Sequence, residues 1–170
     1  MQGFNKTVHP FDFENISGIE FERLVFAFLC RRWSWDSIDW RGQVGGDEGR
    51  DIVGARDDEH GEPLLVVVAC ANRQALTARK ALGDLDKIAA SQPRPSHVLI
   101  VAGGSVSADL KGKIAEHAKG LKLWRVDVWS GAEFEEQLRA YADSVAARFF
   151  RGGASQRGSG SARIRGKRAD

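Results

Sequence analysis

A continuous apolar run at residues 64–71 constrains the fold of this 170-residue chain more than any other feature. A strand with one face in water alternates apolar and polar residues, whereas an unbroken run is typical of a strand buried on both faces. Residues 97–102 form a second run of the same kind. Strands buried on both faces need helices on both sides of the sheet, so the two runs predict an α/β fold.

The first helix is marked by a capping box, Ser17-Gly18-Ile19-Glu20, in which Ser17 caps the helix and Glu20 bonds back to it. We expect the helix to end near Arg31-Arg32. Apolar residues recur at helical spacing through it and give it one face to bury. This face consists of Phe21, Leu24, Val25, Phe28 and Leu29.

The other elements follow from the spacing of apolar residues and from the turn residues between them. The predicted strands are residues 37–41, 50–55, 64–71, 97–102 and 121–129. The predicted helices carry the stripe Ala78, Leu82, Leu85 and Ala89 and then span residues 106–119 and 132–149. This order predicts an α/β/α sandwich with a mixed central sheet over residues 16–150. An N-terminal arm at residues 1–15 precedes it, and a flexible tail or linker at residues 151–170 follows it.

Charge is distributed unevenly along the chain. Residues 151–170 hold six Lys or Arg and one Asp, a net charge of +5, so the remaining residues carry −3 of the total of +2. Because this tail is rich in Gly, Ser and Arg, we interpret it as a linker, as a phosphate-binding basic arm or as a solvated tail without function. No apolar run approaches the roughly 20 residues that span a bilayer, and no secretory signal is visible. We therefore expect a cytoplasmic protein with no membrane partner.

An acidic turn bracketed by glycines, Gly46-Asp47-Glu48-Gly49, leads into the strand that begins near Asp51. An aspartate at the edge of a buried sheet is costly unless it is paired, hydrogen-bonded or bound to a metal. Asp47 and Asp51 are therefore candidate site residues, although aspartate also caps turns without any further role. Glu22 is another candidate, because it lies beside the apolar face of the first helix.

Other motifs carry less weight. The Gly103-Gly104 turn follows a strand and opens a helix, but it lacks the lysine and the glycine spacing of phosphate-binding loops. An ordinary turn is favoured over a small-molecule site. The four histidines lack the spacing of zinc ligands. Cys30 and Cys70 lie in apolar contexts, and we expect both to be buried thiols.

The chain resembles the Mrr-type restriction endonucleases of the PD-(D/E)xK nuclease superfamily. The resemblance rests on Gly18-Ile19-Glu20-Phe21-Glu22, on Gly46-Asp47-Glu48-Gly49-Arg50-Asp51 and on a following strand that ends in Ala69-Cys70-Ala71. It covers roughly residues 16–140. It implies a restriction-endonuclease-like α/β/α sandwich that cleaves DNA with Mg²⁺ in prokaryotic defence.

The resemblance also implies a site. Asp51 matches the family's metal-binding aspartate, Glu22 matches its helix glutamate, and the Cys70 carbonyl is a further metal ligand. Ala69 and Ala71 stand where the family has Gln or Glu and Lys. Alternate residues of a strand share one face, so both functional side chains of that face are missing. We therefore expect weak or absent Mg²⁺ binding and no cleavage, unless a displaced lysine such as Lys80 substitutes.

Two origins of the Ala69-Cys70-Ala71 sequence compete. Engineered inactivation of a working nuclease leaves alanine at both functional positions and the residue between them unchanged. A natural pseudo-nuclease, acting as a DNA-binding or assembly module, is the alternative function. An unrelated fold is the third interpretation.

Double-stranded DNA is the predicted partner. Basic residues near the site strands are the candidate contacts, namely Arg50, Arg73, Arg79 and Lys80. The resemblance further implies a fused or associated sensor or recognition module. The sequence leaves open a homo-oligomer, the trigger of activity and the cleavage specificity.

Overall fold

A computed structural model describes residues 11–42 and 49–150 of the chain. The tail at residues 151–170, most of the N-terminal arm and the candidate Asp47 lie outside these residues. A single 3₁₀ turn at Phe13–Asn15 comes first. The elements that follow are α1 (Gly18–Arg32), β1 (Ser37–Trp40), β2 (Ile52–Asp57), β3 (Pro63–Ala71), α2 (Ala78–Ala90), β4 (His97–Ala102), α3 (Ala108–Gly120), β5 (Val126–Trp129), α4 (Gly131–Tyr141) and α5 (Asp143–Phe150).

The strands form one mixed sheet in the order β1-β2-β3-β4-β5. The pairs β1–β2 and β2–β3 are antiparallel, whereas β3–β4 and β4–β5 are parallel. The carboxyl ends of β3, β4 and β5 therefore lie at the same edge of the sheet. The predicted mixed sheet is confirmed.

Helices cover both faces of the sheet and create two apolar cores. The first core lies between the sheet and α1, α4 and α5, and the second lies between the sheet and α2 and α3. Side chains of β3 alternate between them, so that Val68 and Cys70 belong to the first core and Ala69 and Ala71 to the second. The apolar run at residues 64–71 is thus a central strand, and the predicted α/β/α sandwich is confirmed.

The capping box of α1 forms as predicted. The Glu20 backbone N–H donates to Ser17 Oγ at 3.2 Å, and the Ser17 N–H donates to Glu20 Oε2 at 2.8 Å. The predicted apolar face is fully buried, and Phe21 and Phe28 both pack edge-on against Phe134 of α4. Local capping and long-range packing therefore fix the same helix. No helix among the described residues has the length and apolar character needed to cross a membrane.

Two predicted elements near the C-terminal end are corrected by the structure. The strand predicted at residues 121–129 begins only at Val126, because Leu121 caps α3 and Lys122 has a φ of 58°, which interrupts an extended chain. The helix predicted at residues 132–149 is two helices that meet at Ala142, where the backbone is not helical (φ −152°, ψ 43°). The break lets Val145 of α5 enter the first core.

The first core also includes residues of the predicted N-terminal arm. Phe13 is 3% exposed and its ring lies 5.4 Å from that of Phe21, while Phe11 stacks on Phe150 of α5 at 4.9 Å. The packed unit therefore extends upstream of residue 16.

Candidate functional site at the carboxyl end of the central strand

The carboxylate of Asp51 lies against the carboxyl end of β3. Its Oδ2 accepts the backbone N–H of Cys70 at 2.5 Å, and the Asp51 N–H donates to the Val68 carbonyl at 3.0 Å. The residue is 6% exposed. A carboxylate that only caps a turn bonds to amides close to it in sequence, whereas Cys70 is 19 residues away. The bond places the Asp51 carboxylate beside the residue that separates Ala69 from Ala71.

Ala69 and Ala71 point into the second core, which also contains Ala81 and Leu85 of α2. Both alanines are buried. At these two positions β3 provides neither an acid nor a lysine. Any such group at this end of the sheet must therefore come from another element.

Glu22 of α1, the other candidate carboxylate, is half-buried. The indole N–H of Trp40 donates to Glu22 Oε2 at 3.2 Å. A Cβ atom at Gly42 would collide with this carboxylate, so glycine leaves the space that Glu22 occupies. Glu22 thus has a fixed partner of its own, which sequence spacing gives no means of predicting.

The pKa of the Cys70 thiol reflects the charged side chains around the end of β3. Burial raises the pKa of Cys70 well above its ordinary value, the negative charges of Asp51 and Glu22 raise it further, and Lys80 opposes them. Coulomb effects fall with distance, so all three charged side chains lie near the thiol. Three separate segments of the chain therefore converge at the end of β3.

The two cysteines differ in exposure, which corrects the prediction that both are buried. Cys30 is exposed because it lies on the side of α1 opposite the apolar face, whereas Cys70 is buried. We expect iodoacetamide to alkylate Cys30 in the folded protein and Cys70 only after unfolding in denaturant, since a buried, protonated thiol is unreactive. Mass spectrometry of peptides locates the adduct. Equal alkylation rates in the native protein would contradict the closed packing around Cys70.

A second buried carboxylate, Asp84 of α2, is absent from the candidates that the sequence suggests. Asp84 is 5% exposed, and Lys80 Nζ lies 3.1 Å from its Oδ1 and 2.9 Å from its Oδ2. A Cβ atom at Gly49 would lie 3.2 Å from Asp84 Oδ1, and the φ of +76° at Gly49 also favours glycine. The Asp84 carboxylate therefore rests against the backbone two residues before Asp51.

Sequence reasoning misses Asp84 because it selects a neighbouring stripe of α2. Of the predicted stripe, only Leu85 is fully buried, and Ala78, Leu82 and Ala89 lie at the margin of the core. The buried face consists of Ala81, Asp84, Leu85 and Ile88. A carboxylate at helical spacing among apolar residues is the signal that identifies it.

A surface groove of about 360 Å³ runs along α2. It brings together three of the four residues predicted to contact DNA, Arg73, Arg79 and Lys80, and it adds Lys87. Arg50, which is half-buried next to Asp51, is not among the described residues that line it. The groove is thus positively charged on several sides, and the buried Asp84 lies in its wall.

Oxygen atoms dominate the ligands available at this edge, which suits Mg²⁺ better than a softer metal. Within residues 11–42 and 49–150, no group of three or more His, Cys, Asp or Glu is arranged to hold an ion, so Asp51 and Glu22 belong to no closed cage there. Mg²⁺ usually binds through one or two carboxylates and keeps water and substrate phosphates as its other ligands. Asp51 with Asp84 or Glu22 and the Cys70 carbonyl fit that pattern.

The Gly103-Gly104 turn is packed against protein. A Cβ atom at Gly104 would collide with the carbonyl groups of Arg73 and Gln74, and Gly131 N–H donates to the Gly104 carbonyl at 2.8 Å. The glycines therefore allow backbone segments to approach closely, as an ordinary strand-to-helix turn requires.

A family model described as a restriction endonuclease, Mrr_cat, matches residues 13–140, which include all five strands. Comparisons with curated proteins and with solved structures gave no match.

Proposed function

The chain belongs to the Mrr-type restriction endonuclease family, whose model spans most of its length, and we propose that it is a Mg²⁺-dependent DNA endonuclease domain of a prokaryotic defence system. Its α/β/α sandwich is of the restriction-endonuclease-like type. The observation that carries the proposal is a basic groove with the buried carboxylate of Asp84 in its wall, where Asp84 rests against Gly49, two residues before the buried Asp51.

The groove provides the surface to which DNA is proposed to bind. Arg73, Arg79 and Lys87 offer positive charge to the phosphates of duplex DNA, which carries one negative charge for about every 1.7 Å of helix axis. The buried acids supply the second requirement of phosphodiester hydrolysis, since a bound Mg²⁺ neutralises charge on the phosphate. The bond from the Cys70 N–H holds the Asp51 carboxylate in place, which supports this role for it.

Ala69 and Ala71 favour a second candidate function, a DNA-binding or assembly module without cleavage. Both candidates use the groove, and they differ in whether Mg²⁺ leads to strand breaks. An inactive chain is expected only if no other element supplies the missing acid and lysine.

A DNA-binding measurement tests the property that both candidate functions share, which is binding of DNA in the groove. We expect affinity for a duplex, measured by fluorescence anisotropy in EDTA, to fall steeply with salt because phosphate neutralisation releases counterions. The double variant Arg73→Gln/Arg79→Gln should bind more weakly and should lower the slope of log K against log[salt] by about 2.

The matched control is Lys119→Gln/Lys122→Gln, which removes two charges from exposed positions outside the groove. Its slope should stay close to that of the unaltered chain. An unchanged slope for Arg73→Gln/Arg79→Gln would contradict binding in the groove. A chain that ends at residue 150 tests the tail in the same titration, and an unchanged slope would exclude the tail as a phosphate-binding arm.

The defence role and a fused or associated recognition module are proposed from the family alone. We expect cells that express the full-length protein to reduce phage plating or plasmid transformation, and Asp51→Asn to remove that effect. Equal restriction by both proteins would contradict a defence role through this site.

A further inference from the structure

Helix α2 carries an acid and a lysine onto the face of the sheet where β3 lacks both. Ala69 and Ala71 point to this face and belong to the same apolar core as Ala81 and Leu85 of α2. From the same helix, Lys80 and Asp84 form an ion pair beside the turn that precedes Asp51. The groups missing from β3 are thus present on the helix packed over it.

The stability of α2 does not account for this pair. Lys80 lies in the first turn of α2, which begins at Ala78, and a positive charge there opposes the helix dipole. The lysine also precedes the acid by four residues, which is the weaker order for a helical ion pair. Residues that break local rules are expected at functional positions.

Burial of Asp84 is a second cost in stability. A carboxylate 5% exposed loses its hydration, and an ion pair with a lysine that is itself partly exposed does not usually outweigh that loss. An apolar residue at position 84 would continue the buried face made by Ala81, Leu85 and Ile88. An acid therefore stands at a position where packing alone favours a hydrophobic side chain.

Lys80 also links the groove to the turn that precedes Asp51. Its ammonium is paired with the Asp84 carboxylate, which rests against Gly49, two residues before Asp51. Lys80 and Asp84 both line the basic groove, where DNA is proposed to bind.

We propose that Asp84 and Lys80 of α2 replace the acid and the lysine that β3 lacks, so that the chain as it stands is an active nuclease. Asp84 would hold Mg²⁺ together with Asp51, and Lys80 would contact the phosphate. This inference rests on the proposed nuclease function. In the reaction a water oxygen bonds to phosphorus as the bond from phosphorus to the leaving sugar oxygen breaks. The water loses a proton to solvent, the leaving oxygen gains one from solvent, and the Lys80 ammonium stabilises the negative charge on the phosphate.

Single variants test the two residues. We expect the unaltered chain to cleave plasmid DNA with Mg²⁺ and not with EDTA. Lys80→Gln and Asp84→Asn should each lower the single-turnover rate at saturating DNA by about 100-fold or more, the usual range for a positioned electrostatic group. Asp109→Asn/Lys113→Gln, which removes an exposed i,i+4 pair of α3, is the matched control and should cleave normally.

Metal binding is measured without turnover. Calorimetry with Ca²⁺ should show that Asp84→Asn lowers the affinity for the ion by about tenfold or more. Asp109→Asn/Lys113→Gln should show no such loss. Circular dichroism identifies the temperature range in which each variant is folded. If Asp84→Asn does not fold, Lys80→Gln still decides the question through its rate at saturating DNA.

A swapped variant separates this inference from the proposed function. Ala69→Glu/Ala71→Lys/Lys80→Ala/Asp84→Ala moves the acid and the lysine from α2 to β3, and we expect it to cleave. Cleavage by the swapped variant with none by the unaltered chain would overturn the role of α2 and leave the nuclease function standing. Normal cleavage by Lys80→Gln would also overturn it. No cleavage by either chain, with no binding of DNA in the groove, would contradict the nuclease function itself.

Discussion

Replacement of Asp51 by asparagine is expected to lower Mg²⁺-dependent DNA cleavage by at least about 100-fold. The asparagine side-chain oxygen can still accept the Cys70 N–H, so the local structure is kept, but a neutral amide does not supply the charge that holds Mg²⁺. The loss should occur in the unaltered chain and in the variant with its acid and lysine moved to β3. Single-turnover cleavage of plasmid DNA measures it.

Asp51→Ala serves as the structural comparison. Alanine removes the acceptor and leaves the Cys70 N–H without its partner at a buried position, which costs about 1–3 kcal/mol of the free energy of unfolding. Urea denaturation should therefore separate the two variants, with Asp51→Asn close to the unaltered chain. In EDTA both should bind DNA at least as well as the unaltered chain, because a negative charge near the phosphates is gone. Undiminished cleavage by Asp51→Asn would remove Asp51 from the site.

Phe134→Ala is expected to be the most destabilising single substitution among the aromatic residues of the first core. Phe134 is fully buried, and its ring centre lies 5.5 Å from those of Phe13 and Phe28 and 5.7 Å from that of Phe21. Truncation removes buried apolar surface and leaves a cavity, which typically costs about 3–5 kcal/mol. Urea denaturation followed by circular dichroism measures the change.

Trp124→Ala is the control for aromatic truncation, because Trp124 is 90% exposed. Its free energy of unfolding should change by less than about 0.5 kcal/mol. A similar loss of stability in both variants would mean that Phe134 does not hold α4 against α1.

The sequence predicts the fold well where local and long-range signals agree. The capping box and apolar face of α1 identify both its first residue and its buried side, and the run at residues 64–71 identifies a central strand. The break between α4 and α5 is not predictable in the same way. Ala142 is a good helix former with no Gly or Pro beside it, so its non-helical backbone follows from tertiary packing.

The candidate site is predictable where a motif marks a residue and not where packing creates the contact. Asp51 and Glu22 are identified from motifs, whereas the indole partner of Glu22 depends on a contact across 18 residues. Asp84 lies outside every motif; its helical spacing with Ala81, Leu85 and Ile88 allows burial, but only the rotation of α2 on the sheet decides that this face is the buried one. Local spacing does not fix that rotation, because two adjacent stripes of α2 are both apolar enough to pack.

The position of a bound divalent cation tests the proposed site most directly. We expect crystals of the Lys80→Gln variant with duplex DNA and Mn²⁺ to keep the DNA intact, and anomalous scattering locates the manganese. We predict a manganese ion bonded to a carboxylate oxygen of Asp51, with Asp84 as a second ligand and the DNA in the groove along α2. A manganese ion held by residues other than Asp51, with DNA bound, would contradict the site proposed for this nuclease domain.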